Sequence, residues 1–520
     1  MNNEIKKENA NKWIKLLLVI GIVSVLIGAI FSMNSKSNKT DLGIKKSAYW
    51  ISSNSLEPFD LYFLQKENSK SNKVYSPLSI KYALAMLSEG TIGESKEQIL
   101  NIIGDYNSKK YTDSKNISLA NALFIRDVYE ESINDNYKNL LLQKFNAEVK
   151  IDSFKNPDKI NSWVRNKTLG LIGNLFAEAP SSDFLLINAL AINMEWQDKF
   201  LDAIGYTIYE HQNFEWYGEN DIVSGTFKDI NELVSGMEIL ASVNNYDIVN
   251  VLGEENIRET VKTAFKKYLV EHPRDKISDY LSNEDITGLS DDELMEKYLD
   301  NYIKKIDSNY KKEDKSTDFS LYVDENVKAF SKDLKEYNGT TLEYVAIMPI
   351  NEDLDSYISK VKSQDINNVI SNLKQIKSEN FKDGVVTKVT GFIPKFKFDY
   401  ELDLTNDLKQ LGITNVFTKG NANLTNITSD ELAYINSTKH KANIEFTQDG
   451  IKASAATVNG GLGNISFFDY KYHVPVIEID LTFDKPYMFL LRDKITGEVW
   501  FAGTVYNPLL YSLDTTKRPY

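Results

Sequence analysis

The sequence of 520 residues contains no cysteine. A disulfide bond, a cysteine nucleophile and a thiolate zinc site are therefore excluded, whatever compartment the protein occupies. Histidine is also rare, and its four copies are His211, His272, His440 and His473. They lack the short spacings of metal ligands, so we expect no metal site and no cofactor.

Signatures of common enzymes are absent too. The sequence has no G-x-S-x-G nucleophile elbow, no phosphate-binding loop and no H-E-x-x-H zinc motif. Residues 460–463, GGLG, follow an alanine-rich run rather than a strand that leads into a helix, so they do not form a nucleotide fingerprint. The net charge of −14 disfavours a nucleic-acid partner. We expect a protein that is not an enzyme.

The N-terminal region predicts a membrane anchor. Residues 1–12 are polar and contain lysines, whereas residues 13–33 contain a long run without a charge. As a helix, the second segment would span roughly 31 Å, close to the hydrocarbon thickness of a bilayer. The preceding lysines indicate a cytoplasmic N-terminus, residues 34–51 a linker, and the remainder a domain exported across the cell membrane. A secreted protein with a cleaved signal peptide is the alternative, but bulky Phe31 and Met33 make a poor cleavage site.

Residues 443–468, NIEFTQDGIKASAATVNGGLGNISFF, predict a strand, a turn and then a segment of small side chains. Ile444 and Phe446 alternate with polar residues, and Asp449-Gly450 predicts a turn. Small side chains could enter a narrow gap between two existing strands. At period two, the two faces of such a strand would carry Ile451, Ala453, Ala455 and Thr457 on one side, and Lys452 and Ser454 on the other. An alanine-rich helix or a disordered tether is the alternative.

Motifs over most of residues 52–509 resemble those of the serpin family of protease inhibitors. Residues 440–458, HKANIEFTQDGIKASAATV, resemble the family's strand and mobile hinge, and residues 483–508 resemble its closing hairpin. Residues 72–100 contain N-x-x-x-S-P-x-S-I, in which Ser76-Pro77 predicts the start of a helix. Residues 185–200 resemble the family's central strand. The resemblance implies a monomeric α+β protein, with helices packed around a large central mixed sheet, two smaller sheets and an exposed reactive-centre loop.

The resemblance also implies roles for three groups of residues. The hinge, which inserts into the central sheet, would be Gly450, Ile451, Lys452, Ala453, Ser454, Ala455, Ala456 and Thr457. The shutter, beneath the point where this sheet parts, would be Ser76, Ser79, Asn188 and His440. The breach, at the top of the sheet, would be Trp196, Lys395 and Gln448. Gln448 replaces a glutamate that often pairs with this lysine, so a neutral hydrogen bond or a contact to Asp449 is expected instead.

The function implied by the resemblance is covalent trapping of a target serine protease, or less often a cysteine protease. Counting from Gly450 places the reactive bond between Asn464 and Ile465. The loop is longer than usual, which could move the cut downstream. The alternative positions are Phe468, Tyr470 and Lys471. The first two would suit a subtilisin- or chymotrypsin-like protease and the last a trypsin-like one.

Residues 201–320 depart from the family pattern. They hold 26 acidic and 13 basic residues, a net charge of 13 − 26 = −13, and look like a mainly helical insertion in a serpin domain at 52–520. Ser290 and Glu293 form a capping-box pattern before an apolar stripe. Residues 283–288 fit an EF-hand in part, but Leu294 takes the place of the final glutamate, so we expect no calcium site. A non-inhibitory serpin that uses this insertion in cell-surface binding is the alternative function.

Overall fold

The computed structural model describes most of the chain after residue 54. The described residues are 55–202, 236–242, 254–271, 287–310, 316–377, 386–451 and 476–509, apart from 68, 105, 108–110, 112, 240 and 437. The predicted tail, anchor and linker at residues 1–51 lie outside these ranges. Within them, no helix is both long and apolar enough to span a bilayer.

Ten α-helices fall within the described residues. They are α1 (Pro58–Lys66), α2 (Pro77–Gly90), α3 (Gly93–Ile103), α4 (Asp135–Phe145), α5 (Asp158–Lys167), α6 (Glu254–Glu271), α7 (Asp291–Tyr310), α8 (Leu354–Lys360), α9 (Ser363–Asn372) and α10 (Leu404–Gln410). Helix α2 begins as the sequence predicts: Ser76 is its N-cap and accepts a hydrogen bond from the N–H of Ser79 at 3.1 Å. Pro77 follows at the first helical position, where a missing N–H costs no hydrogen bond.

The described strands build several sheets. They are β1 (Lys73–Tyr75), β2 (Ile117–Arg126), β3 (Glu148–Asp152), β4 (Phe184–Ile192), β5 (Met194–Glu195), β6 (Leu201–Asp202), β7 (Gly236–Glu238), β8 (Ala241–Ser242), β9 (Phe319–Val323), β10 (Val327–Asp333), β11 (Leu342–Pro349), β12 (Val386–Thr390), β13 (Phe392–Pro394), β14 (Phe396–Asp403), β15 (Lys439–Thr447), β16 (Gly450–Ile451), β17 (Val476–Asp480), β18 (Tyr487–Asp493) and β19 (Val499–Val505). The mixture of sheets and helices confirms the predicted α+β class.

The largest sheet is antiparallel and has six strands in the order β1-β19-β18-β11-β10-β9. Every residue of β11 and β19 is buried, so both faces of this sheet are covered. Two smaller sheets have the orders β17-β12-β8 and β13-β7-β6.

The remaining strands form two assemblies that share one continuous strand. In the first, β2 pairs in parallel with β3 and antiparallel with β4; in the second, the order is β14-β15-β16-β5. Only Asn193 separates β4 from β5, so this strand leaves one assembly and enters the other. The two assemblies are therefore joined at one end through β5 and β16.

A large aromatic core lies between the second assembly and the six-stranded sheet. The rings of Phe396 and Phe446 stack at 5.0 Å, and Tyr344 lies 4.7 Å from Phe446 and 5.7 Å from Phe489. A smaller, separate core forms where α5 packs on the strands β2 and β4. Strands β2 and β4 are thus buried on both faces, whereas β15 is buried at alternate positions.

The segment that departs from the family pattern begins with short strands and continues with helices. Strands β7 and β8 pair with β13 and β12, respectively. The predicted capping box at the start of α7 is confirmed: the N–H of Ser290 donates to Glu293 Oε2 at 2.7 Å, and the N–H of Glu293 donates to Ser290 Oγ at 3.3 Å. On α6 and α7, Phe265 and Tyr298 are buried with their rings 5.3 Å apart.

Candidate functional site

The predicted hinge begins inside the sheet, as strand β16. Gly450 pairs antiparallel with Thr447 of β15 on one side and with Glu195 of β5 on the other. Ile451 pairs in the same way with Phe446 and Met194. These two residues therefore form a central strand with neighbours on both edges. The other hinge residues and the candidate reactive bonds lie outside the described residues.

The first hinge position accepts only glycine without rearrangement. A Cβ atom at Gly450 would lie 2.3 Å from the carbonyl oxygen of Met194 and 2.6 Å from Cα of Glu195. Both atoms belong to the backbone of β5 and cannot move aside as a flexible side chain could. Ile451 is 1% exposed and fits the core.

The turn between β15 and β16 is held by residues 196–200. Nε1 of Trp196 donates to the carbonyl of Thr447 at 2.8 Å, and its N–H donates to the carbonyl of Asp449 at 3.0 Å. The N–H of Phe200 donates to the carbonyl of Gln448 at 3.0 Å. Three successive carbonyls of the hinge turn thus accept hydrogen bonds from one short segment.

Trp196, predicted for the breach, is fully buried at the centre of an aromatic cluster. Its ring makes edge contacts with Phe200 at 5.4 Å, Phe446 at 5.5 Å and Tyr344 at 6.0 Å. Aromatic pairs at these separations and angles add to the stability gained from burial. The tryptophan therefore anchors residues 196–200 against both neighbouring sheets.

An ion pair joins the hinge turn to residues 196–200 at the breach. Asp449 pairs with Nζ of Lys199 at 2.7 Å. Lys395 lies directly before Phe396 on β14, and its carbonyl accepts from the N–H of Leu509 at 2.8 Å. Sequence reasoning missed Lys199, whose only signal is its position between two aromatic anchors.

The predicted shutter residues form two groups rather than one network. Nε2 of His440 accepts from the N–H of Ser76 at 2.9 Å, and the side chain of Ser76 caps α2 at Ser79. Asn188 instead donates to Oδ1 of Asn121, its direct partner across the β2–β4 ladder. Within the described residues, no hydrogen bond joins these two groups. Sequence reasoning missed Asn121.

Two buried polar atoms of the shutter have no hydrogen-bond partner in the described structure: Oδ1 of Asn188 and Oγ of Ser79. His440 is also buried, and burial lowers the pKa of its imidazole to about 4. The ring is therefore neutral at pH 7. Unsatisfied buried acceptors are rare in folded proteins, and they suit a site where a further polar group can bind.

Strands β4 and β15 lie side by side, with pairs of Cα atoms within 8 Å of each other. Among the described residues, no ladder connects them: β4 pairs only with β2, and β15 pairs only with β14 and β16. Each strand therefore has a backbone edge that faces the other without ladder hydrogen bonds. Elsewhere, no group of three or more acidic or histidine side chains in the described ranges is arranged to hold a metal ion.

The family model "Serpin (serine protease inhibitor)" matches residues 58–204 and 315–508. It leaves out the residues between these ranges, where α6 and α7 lie. An uncharacterized serpin-like protein of Methanosarcina acetivorans is 24% identical over 476 residues, covering 86% of this chain and 84% of the relative.

Solved serpin structures share the fold. The thermophilic serpin tengpin in its native state gives a TM-score of 0.55 at 19% identity, with 91% of this chain and 99% of that chain covered. Human thyroxine-binding globulin in complex with thyroxine gives 0.55 at 17% identity, with 86% and 96% covered. These matches confirm the predicted serpin fold. With two thirds of its residues within the family model, the chain belongs to the serpin family.

Proposed function

We propose that this serpin inhibits a serine protease by inserting its cleaved loop as a strand between β4 and β15. The serine Oγ of the protease attacks the carbonyl carbon of the residue before the reactive bond, the peptide C–N bond breaks, and the new amine leaves. The remaining acyl ester tethers the protease to the hinge. The observation that carries this proposal is strand β16, whose two residues already pair on both edges.

Continuation of β16 in the same register supports the predicted hinge composition. Ile451 is opposite Phe446, so Ala453 would be opposite Ile444 and Ala455 opposite Ala442. Ile444 and Ala442 are buried positions of β15. Apolar side chains suit this face because the positions opposite them on β15 are buried.

The same register would bring Thr457 to the shutter. It would stand opposite His440 on β15 and opposite Asn188 on β4. The hydroxyl of threonine can donate to the amide oxygen of Asn188, which now lacks a donor. Insertion would then join the two groups of shutter residues.

The distance travelled is what would trap the protease. From Ile451 to Asn464, 14 residues span roughly 45 Å when extended. The tethered protease would be carried across the molecule before water hydrolyses the ester. Such a trap requires an intact protein that is kinetically stable, with a lower-energy form available after cleavage.

A non-inhibitory binding protein is the second candidate, because thyroxine-binding globulin has the same fold. The hinge composition favours inhibition: Lys452 is the only charged residue at 451–457, and no proline occurs at 451–472.

We also propose that residues 13–33 anchor the serpin domain outside the cell membrane. Cleavage near residue 33 and release into the medium would contradict this location.

The test is incubation of the full-length chain, purified in detergent, with subtilisin, chymotrypsin or trypsin. An inhibitor gives a covalent band at the summed mass on a denaturing gel, and sequencing the released fragment identifies the reactive bond. Clean cleavage without an adduct by all three proteases, together with the same melting temperature before and after nicking, would overturn the proposal.

A pair of hinge variants sharpens this test. Ala453→Arg places a charge on the buried face, so cleavage should continue while adducts disappear. Lys452→Arg changes the opposite face and should leave adduct formation unchanged. Adducts that persist in Ala453→Arg would contradict the hinge assignment.

A further inference from the structure

The hinge turn has one charged contact in addition to its hydrogen bonds to residues 196–200. The carboxylate of Asp449 lies 2.7 Å from Nζ of Lys199. The aspartate side chain is 8% exposed and the lysine side chain is 37% exposed. The ammonium group thus reaches from the surface to a carboxylate that is nearly excluded from solvent.

The two side chains of this ion pair differ in how much solvent they have lost, and Asp449 has lost more. Without the ammonium group of Lys199, Asp449 would be a carboxylate that has lost most of its water and has no cation in return. An uncompensated charge of this kind costs more than an exposed ion pair contributes. We call the hinge seated when β16 is paired with β15 and β5. The free-energy cost destabilises this seated conformation, because Asp449 would regain its water if the turn left the sheet.

The seated turn fixes where the inserted strand begins. Asp449 immediately precedes Gly450, the first residue of β16, which fits between β5 and β15 in a single register. Trp196 and Phe200, on either side of Lys199, hold the carbonyls of the same turn. Lys199 therefore holds Asp449, the residue directly before Gly450 and Ile451, from which any further insertion would extend.

We propose that Lys199 is a positioning residue that keeps the hinge seated and so commits the acylated loop to insertion. This inference rests on the proposed inhibitory function. After acylation, insertion competes with hydrolysis of the ester by water. A seated β16 provides the first paired residues of the new strand, whereas an unseated hinge must form them while hydrolysis proceeds.

The first test measures the stoichiometry of inhibition, the number of serpin molecules consumed per protease molecule trapped. It uses the full-length chain and whichever of the three proteases forms the covalent band. An ideal inhibitor has a stoichiometry of one. Lys199→Met should increase the excess of the stoichiometry above this value about five-fold, while the rate of loop cleavage stays the same. Lys199→Arg should retain the wild-type value, and Asp449→Asn added to Lys199→Met should restore most of it.

Salt gives a readout that a merely structural role would not move. Raising sodium chloride from low to high concentration screens a partly exposed pair, so the excess should increase in the wild-type protein and remain constant in Lys199→Met. A variant that melts at a lower temperature but keeps the wild-type stoichiometry and salt response would overturn the proposal.

The absence of cysteine permits a second test that needs no inhibition. Ile451→Cys introduces a single thiol at a position that is 1% exposed, so its alkylation rate reports how often the hinge leaves its seat. Adding Lys199→Met should accelerate alkylation about five-fold. An unchanged rate would overturn the positioning role. Faster alkylation in a protein that traps no protease would support it while refuting the inhibitory function.

Discussion

The backbone N–H of Ser76 donates a hydrogen bond to Nε2 of His440 at 2.9 Å, which joins the start of α2 to β15. Because Nε2 accepts, the imidazole must be neutral, with its proton on Nδ1. A second proton would remove this acceptor and place a charge in a buried site. Burial accordingly lowers the pKa of His440 to about 4.

We expect the intact protein to lose stability as pH falls from about 6.5 towards 4. In this window unfolded His440 takes up a proton while the folded residue remains neutral, so the unfolded state binds more protons. The contribution to the free energy of unfolding is fully present above pH 6.5 and decreases by about 3 kcal/mol across the window. Urea midpoints at several pH values measure the slope, and His440→Gln, which does not titrate, should reduce it. Equal slopes in both proteins would refute the assignment.

Gly450→Ala should drive the hinge out of the sheet. The new methyl group would collide with the backbone of β5 at Met194 and Glu195. Overpacking of this kind costs about 1–3 kcal/mol, which lowers the population of seated hinge at least about five-fold. The ratio of cleaved serpin to covalent complex on a denaturing gel should rise accordingly.

A second glycine provides the control for this variant. Gly173 is exposed, and a Cβ there would meet no atom within 4 Å. Gly173→Ala should therefore leave the ratio unchanged. If the two alanine variants behave alike, the close approach at Gly450 has no role in insertion.

Local patterns in the sequence identified much of the fold. The alternation of Ile444 and Phe446 with polar neighbours predicted β15, and both residues are buried as expected. Ser76 before Pro77 predicted the start of α2. Each of these signals depends on residues a few positions apart, and a strand or helix start is decided over that same distance.

Partners across the fold could not be predicted in this way. Lys199 and Asp449 are 250 positions apart, and Asn121 and Asn188 are 67 apart. Neither pair has a sequence pattern. Asn121 and Asn188 meet through the register of β2 and β4, whereas Lys199 and Asp449 meet where residues 196–200 pack against the hinge turn. The family resemblance named the polar residues of the shutter but did not reveal that they form two groups.

Lys81 and Asp60 form an ion pair with both side chains fully buried, at 2.7 Å. Lys81→Met should lower the free energy of unfolding by about 3–5 kcal/mol, because it leaves a buried carboxylate without its cation. The first urea transition measures this loss. Lys81→Met combined with Asp60→Leu should recover most of it, since two apolar side chains need no partner.

The matched control for this pair lies on the surface. Lys144 pairs with Glu89 while its side chain is half exposed. Lys144→Met should cost no more than about 1 kcal/mol, because solvent screens the pair. A similar loss from both lysine variants would show that burial does not determine the effect.

Phe265→Ala tests whether the packed helices α6 and α7 fold independently of the rest of the serpin. Phe265 is buried with Val261, Leu294 and Tyr298, and none of the four belongs to either of the two main core clusters. Loss of the ring should cost about 3–5 kcal/mol, more than a two-helix core of this size can supply. Far-UV circular dichroism should lose the signal of these two helices, and thermolysin should cut between residues 254 and 310.

The main melting transition should stay within a few degrees in this variant, because the large aromatic core is untouched. Lys266→Ala, at the exposed neighbouring position, should preserve both the helical signal and the resistance to thermolysin. A main transition that falls in step with the helical signal would show that α6 and α7 share their core with the rest of the serpin domain. Since α6 and α7 lie where the family model finds no match, we expect that an independent unit here can be removed without loss of the proposed protease trapping.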